Sequence, residues 1–434
     1  MLLIYTHKLT PRLRYAFKHV FTRVLKIPIE FTTRVEEFIA HGPLKMTYTK
    51  QPLQNEFFVK SHELLFDHGV GDVEINVQQW DQVACFFSTN SDKSILPYDI
   101  FAATFYLLSR YEEYIPHVKD EHGRYPVNES LAFKHKFLEQ PVIDIWAYKL
   151  LGILQERFPE LNVKQTPFQF TPVISVPLVF GYRKVGILRT ISGTFGDLFR
   201  FRLRKVLLRY AVLFGIKKDP YDTFDDFINL HLTYKVKAIY FFLFAKYATY
   251  DKNISVYSNV FRSLIKSVSD YAITSLLVSY EAFSNIDVLK KERKRLSDLI
   301  HRPVVRVMQH YNKLDFPDTY RNLIDAEVNE DYTMGYPNTI GFRAGTCTPF
   351  YFYDIGAEMP TPLKINPVVT TDFALKEIGN TQQIIDKITR IGEVIEAVNG
   401  NFVFKLHNTT LIENEWKGWR EIYIKTLQRF GSKK

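Results

Sequence analysis

From Phe168 to the C-terminus, short apolar runs alternate with longer segments, several of which carry helical spacing, and no other feature restricts the fold as much. The runs are FQFTPVISV (168–176), KVKAIYFFLF (235–244), AITSLLVSY (272–280), VVRVMQH (304–310), DYTMGY (331–336), PLKINPVV (362–369) and NFVFKLHN (401–408). Runs of this length read as strands. Seven of them with crossovers between most neighbours specify a parallel sheet, and a distorted (β/α) barrel is one way to close it. In such barrels functional groups stand at the C-terminal ends of the strands.

At 434 residues the chain exceeds one ordinary core, so a second domain is expected ahead of the barrel. Residues 1–160 supply it. Leu2–Tyr5 suits a short strand, residues 11–25 carry helical apolar spacing, and residues 27–31 return to strand character. Further on, DIFAATFYLLSRYEEY opens on Asp99 as a helix cap. The segment HVKDEHGRYPVNES that follows is a polar loop. The expected fold class is therefore α/β: an N-terminal α/β domain over 1–160 and a barrel over 168–434.

The formal charge of +9, from 56 basic and 47 acidic residues, favours anionic partners such as phosphates, anionic lipid or nucleic acid. The modest excess and the lack of a recognition motif argue against nucleic acid. Two cysteines, Cys85 and Cys347, show neither pairing nor metal spacing and suit a reducing compartment. The opening MLLIYTHKLT turns polar by Thr6, too early for a secretory signal, and no run of about 18 apolar residues occurs. A cytoplasmic location is expected, with contact at the inner membrane face left open.

That contact would come from residues 183–219, a long insertion between the first two strands. Its stretch FGDLFRFRLRKVLLRYAVLFGIKK mixes Arg and Lys with Phe, Leu, Val and Tyr. A basic amphipathic helix of this kind can lie on anionic membrane. The competing placement, which is the expected one, packs its apolar face on the barrel and leaves its cations in water.

The strand ends give the candidate site residues. The first strand ends in Ser175, Val176 and Pro177, followed by Tyr182; the third ends in Tyr280; the fourth delivers His310; GFRAGT holds a Gly-flanked Arg343; and the last strand delivers His407 and Asn408. A lone histidine at a strand end is ordinarily a hydrogen-bonded structural residue. Two histidines and an arginine on one rim form a group worth treating as a site.

Several stretches are similar to a known family: LPYDIFAATFYLLSRYEEYIPHVKDEHGRYP, FLEQPVIDIWAYK, PYDTFDDFINLH, FFLFAKYATYDKNIS, EDYTMGYPNTIGFRAGT and KLHNTT. Residues from about 168 onward resemble polysaccharide deacetylases of the metal-dependent carbohydrate esterase type. The whole chain resembles a two-domain subfamily familiar from Bacteroidetes. The resemblance implies a barrel that removes N-acetyl groups from sugars, with a divalent metal held by an Asp and histidines, an Asp base, and a late His that protonates the leaving amine. It makes His407 and Arg343 the candidate catalytic residues and His310, Tyr280, Tyr182 and Asn408 the candidate substrate-binding residues. TFDDF (223–227) looks like that family's Thr-Phe-Asp-Asp signature, but it follows the turn-like KKDPYD and opens a helical pattern, so it reads as a helix start capped by Thr223.

The departures fall on the machinery. Where the family carries Asp-x-Asp, this chain has Ser175, Val176 and Pro177, and where the subfamily has His-Pro-Ser-Tyr it has Leu277, Val278, Ser279 and Tyr280. Ser, Pro, Leu and Val cannot replace anionic and imidazole ligands. Arg343, which braces the catalytic carboxylate in such enzymes, would lack that partner here and be left for a ligand's phosphate or carboxylate. The expectation is a saccharide-binding, regulatory or scaffolding protein of envelope glycan metabolism that no longer hydrolyses and needs no cofactor. The alternative is an active N-deacetylase whose zinc or other divalent metal has moved, with Asp222, Asp225, Asp331 or Asp354 supplying a carboxylate near His310 and His407.

Overall fold

A computed structural model of the chain describes residues 1–431. In the N-terminal part, β1 (Leu2–Tyr5), β2 (Ile29–Thr32), β3 (Lys45–Thr49) and β4 (Phe57–Lys60) form an all-parallel sheet in the order β2-β1-β3-β4. Helix α1 (Pro11–Phe17) starts with proline in its first turn and with the Thr10 hydroxyl accepting from the Leu13 N–H. Short α2 (Val35–Ala40) follows β2 and packs on β1 and β2, and the two-stranded β5 (Gln78–Trp80) and β6 (Val83–Cys85) come before α3 (Ile100–Leu108) in the chain. Every residue of α3 is buried, and Asp99 caps it by accepting from the Phe101 and Ala102 N–H groups. Phe101 of α3 stacks on Phe17 of α1 with centroids 3.8 Å apart, which fuses the two helices into one aromatic core. Helices α4 (Leu131–Lys134) and α5 (Val142–Arg157) complete this part.

The second part is one large curled sheet. Its strands are β7 (Gln169–Val176), β8 (Ile239–Phe242), β9 (Ile273–Val278), β10 (Arg306–Gln309), β11 (Glu330–Asp331), β12 (Phe350–Asp354), β13 (Met359–Ile365), β14 (Val368–Thr371) and β15 (Asn401–His407). The order is β12-β13-β11-β10-β9-β8-β7-β15-β14, parallel throughout except for the antiparallel β12–β13 pair. Closure comes from β14, whose Val368 N–H donates to the Met334 carbonyl just beyond β11, while Gly341 N–H donates to Val369. Gly335 sits at this seam, where any Cβ would strike the Val368 carbonyl. Seven strands then enclose a separate apolar core of Val173, Ile239, Phe241, Leu277, Met308, Tyr332, Val368 and Val403. These side chains come from six of the strands and from Tyr332 directly after β11, so the lumen is packed, as in a distorted β/α barrel. The crossovers carry α6 (Ile187–Phe199), α7 (Leu203–Leu213), α8 (Phe224–Thr233), α9 (Asn259–Tyr271), α10 (Ile286–Ile300), α11 (Asp318–Asp325), α12 (Asp372–Lys376) and α13 (Thr381–Ala397), with α14 (Trp419–Phe430) last.

Four sequence expectations need correction. DYTMGY is not a strand: β11 ends at Asp331, the run's first residue, and 332–336 continue as irregular chain. PLKINPVV is two strands rather than one, because the chain leaves β13 at Asn366–Pro367 and rejoins the sheet beside β15 as β14. The TFDDF stretch does open a helix, α8, but Thr223 makes no capping bond; its hydroxyl donates instead to the Asn408 carbonyl, at 2.5 Å. The insertion does not lay an apolar face on the barrel: α6 has no buried residue, and α7 buries only Arg209 and Val212.

The two parts share a buried seam. Arg343 of the barrel part donates to both oxygens of Glu113, at 3.0 and 2.6 Å, and Arg110 donates to Glu113 at 2.7 Å. Arg12 pairs with Glu358 across the same seam, and Asp144 accepts from the Cys347 N–H and the Thr348 hydroxyl. Both cysteines are buried and free. Among the described residues no helix is long and apolar enough to cross a membrane.

Candidate functional site

Strand parity builds the site. Val403 faces the lumen, so Lys405 and His407, two and four residues on, face the same side, with His407 at the strand's C-terminal end. Beside it β14 ends at Thr371, and the next residue, Asp372, turns into α12 fully buried. Its carboxylate takes the His407 ring at 2.8 Å through Nδ1, the His407 backbone N–H at 2.7 Å, and the Thr410 hydroxyl. Burial alone would raise the Asp372 pKa, but the His407 ring and these donors outweigh it and hold the carboxyl below its ordinary range. An ionised carboxylate only accepts, so the Nδ1 of His407 carries the proton and its Nε2 is left to face the rim.

A second pair stands opposite. His310 follows β10, and its Nδ1 lies 3.0 Å from Oδ1 of Asp251, a buried residue of the long loop after β8. Both Asp251 oxygens also accept from the Tyr280 N–H, each at 3.0 Å. Burial lowers the His310 pKa against the pull of Asp251, with the charges of Lys405 and His407 adding to the fall. Behind this pair, Glu292 of α10 accepts from the Ser279 hydroxyl at 2.7 Å, and burial pushes its carboxyl up to about 7, with Asp251 contributing in the same direction.

Between the pairs lies Lys405, only 4% exposed, its ammonium held by the Asn312 side-chain oxygen. Burial brings its pKa down to about 8; Asp372 opposes the shift and Arg124 adds to it. Asn312 reaches Lys405 because the chain after His310 takes an unusual path: Tyr311 and Asn312 both adopt left-handed φ angles, 59° and 52°. Two consecutive non-glycine residues in this region cost backbone energy that packing must offset, a pattern concentrated at functional sites.

The N-terminal domain roofs this rim. Arg124, from the polar loop of residues 117–125, donates to the Tyr311 carbonyl at 2.6 Å and is braced by Asp120 at 2.7 Å. His122 from the same loop joins Tyr250, Tyr280 and Tyr311 in an aromatic cluster, in which Tyr250 and Tyr280 stack at 4.3 Å. The Lys313 ammonium sits 4.3 Å above the Tyr280 ring.

Of the residues expected from the sequence, the rim thus gathers His310, His407 and Tyr280. Arg343 lies elsewhere, 3% exposed in the domain seam; its expected lack of a partner is corrected by Glu113, which occupies its guanidinium. Asn408 is fully buried, and its amide donates to the Leu178 and Tyr221 carbonyls, tying two loops together. Tyr182 stands at the base of the insertion under the Arg209 guanidinium, 5.4 Å from its ring centre. The four carboxylates expected to supply a relocated metal site are each engaged by partners other than the histidines. Asp222 and Asp225 pair with Lys218, Asp331 accepts from Thr333 and Tyr320, and Asp354 pairs with Arg321. Among the described residues no group of three or more His, Cys, Asp or Glu side chains could hold a metal ion, and the strand ends that would complete one carry Ser175, Pro177, Leu277 and Val278. The donor set does not fit a zinc centre with three protein ligands.

Asp251, Asp372, Lys405, Asn312 and Arg124 were missed. Asp372 had a signal, as the residue that ends VVTTD, and so did Lys405, two positions before His407 on one strand face. Asp251 and Arg124 come from loops, where no periodicity marks them.

Comparison with known proteins matches residues 2–159 to a family model described as "Family of unknown function (DUF7033)". No curated protein matches. Among solved structures, one resembling it is described as "probable Polysaccharide deacetylase from Pseudomonas aeruginosa PAO1", 11% identical, covering 61% of this chain and 85% of that one, with a TM-score of 0.39. The polysaccharide deacetylase Bc1974 from Bacillus cereus is 8% identical, covering 62% and 92%, with a TM-score of 0.32. A mutant of BA3943, described as a CE4 family pseudoenzyme with restored enzymatic activity, is 8% identical, covering 61% and 64%, with a TM-score of 0.32. Its structural neighbours include polysaccharide deacetylases.

Proposed function

We propose that the barrel rim binds a saccharide and that the chain does not hydrolyse by the metal-dependent route of the deacetylases it resembles, acting instead as a binding or regulatory component of glycan metabolism. The donor set carries this reading. Two strand ends that would have to supply anionic and imidazole ligands supply Ser175, Pro177, Leu277 and Val278, and the remaining histidines are each committed to one aspartate. The stacked Tyr250 and Tyr280 rings beside His310 offer an aromatic face ringed by a few fixed polar groups, as ligand sites do. The free buried thiols fit a reducing compartment, which we take to be the cytoplasm.

Titration calorimetry of zinc and cobalt into the chelated full-length protein tests this. We expect no stoichiometric tight binding, and we expect binding of N-acetylated oligosaccharides that Tyr280→Ala weakens. Tight metal binding at one per chain would overturn the reading.

Lys405 favours a second reading. A buried ammonium between two Asp–His pairs can stabilise a developing oxyanion while the free Nε2 of His407 moves a proton, without a metal ligand set. Hydrolysis of acetylated sugars that survives chelation and disappears in Lys405→Met would establish it. Activity that chelators abolish would exclude it.

A further inference from the structure

Within the insertion, the arm of residues 183–218 that rises from its base residue Asp219 stands out from the rest of the molecule in two ways, and each points to the same occupant. It contains ten of the basic residues and one acidic residue, Asp197, so it carries a net +9; the other 46 basic and 46 acidic residues of the chain cancel. The entire charge excess of the protein is therefore held in one helical hairpin. The same hairpin also carries the largest concentration of exposed apolar side chains. At its turn Phe199 and Phe201 are 82% and 90% exposed, and Leu188, Leu207 and Phe214 are similarly bare.

These apolar groups are displayed by a built structure. Arg209 of α7 reaches back to the Thr194 hydroxyl at 3.0 Å and to the Asp197 carboxylate at 2.5 Å, stapling α7 to α6. Gly193 leaves the space that the guanidinium crosses, since a Cβ there would meet it at 3.0 Å. At the base, Asp219 accepts from the Gly181, Tyr182 and Arg183 N–H groups at 2.8–3.0 Å and clasps the two legs together. The turn itself reads LFRFRLRK, aromatic and aliphatic residues alternating with Arg200, Arg202, Arg204 and Lys205, all of them exposed.

We propose that this hairpin docks the protein on an anionic phospholipid bilayer, its Phe and Leu side chains entering the acyl boundary while Arg and Lys engage lipid phosphates. An exposed apolar surface of this size needs a cover. The charge chooses it: a second copy would bring another +9 against the first, whereas an anionic headgroup layer is complementary to both the cations and the apolar residues between them. The inference goes beyond the proposed function and stands whatever the rim binds.

Co-sedimentation of the full chain with vesicles tests it. We expect binding to mixed phosphatidylglycerol–phosphatidylcholine vesicles, weakened by salt, and little binding to pure phosphatidylcholine. Both Arg200→Gln/Arg202→Gln/Arg204→Gln and Phe199→Ser/Phe201→Ser/Phe214→Ser should lower the affinity by at least about tenfold. The altered residues are exposed, so circular dichroism should be unchanged. Absence of binding to anionic vesicles, or binding that both variants retain, would overturn the proposal. So would a lipid-free dimer that the Phe variant dissociates, because the surface would then be a contact between copies.

Discussion

At the residue scale the rim is a set of buried charges whose environments push them in different directions. Glu292 is the clearest reporter. Burial raises its pKa to about 7, so the folded state holds the proton more tightly than the unfolded chain does. Its contribution to stability is complete below the ordinary glutamate range and is lost as pH rises through about 7. Urea denaturation at pH 5 and pH 8 should show stability falling across that window by up to about 3 kcal/mol from this group, and Glu292→Gln should flatten that part of the profile. Asp372 behaves oppositely, its carboxylate being stabilised by His407 and Thr410. Asp372→Asn should cost on the order of 3 kcal/mol in thermal or chemical denaturation, because it breaks a buried charged network from one side. The histidines of these pairs were legible at strand ends, whereas their carboxylate partners were only half so. Asp372 lies three residues past the apolar run that marked its strand, and Asp251 is nine residues beyond the end of β8.

At the element scale, strands announced themselves and pairings did not. Inward and outward alternation on β15 is plain in NFVFKLH, and five of the seven apolar runs each hold one barrel strand, while DYTMGY gives only Asp331 to β11. The split of PLKINPVV into β13 and β14 was hidden because Asn366 and Pro367 interrupt a run that is apolar on both sides; only the location of the two partners, β11 and β15, reveals the break. The insertion was misplaced for a related reason. Helical amphipathicity says that a face needs covering but not by what, and here the barrel does not cover it. Excising residues 184–217 and joining the legs at the Asp219 clasp should therefore leave the barrel folded, with a melting temperature within a few degrees of the intact chain, since only Arg209 and Val212 lose buried positions. A collapse of the melting transition would mean that the hairpin supports the barrel.

Across the whole molecule, the N-terminal domain and the barrel are chemically interlocked. Glu113 is shared by Arg110 and Arg343, all three nearly inaccessible to solvent, and the loop carrying Arg124 closes over the lysine in the lumen. No local pattern could disclose this, because the partners lie 230 residues apart. Arg343→Met should cost about 3–5 kcal/mol in denaturation, as it leaves Glu113 with one of its two cations. Arg343→Lys should recover only part of this, lacking the two-pronged geometry.

The confinement of charge to one hairpin has a consequence before any contact is made. A molecule that is neutral over most of its bulk and strongly positive at one end feels a torque, as well as an attraction, near a negative surface. It arrives already turned. Because Asn408 bonds both legs of the hairpin base to the strand end that carries His407, the opening of the barrel would be brought to that surface at a set angle rather than at random.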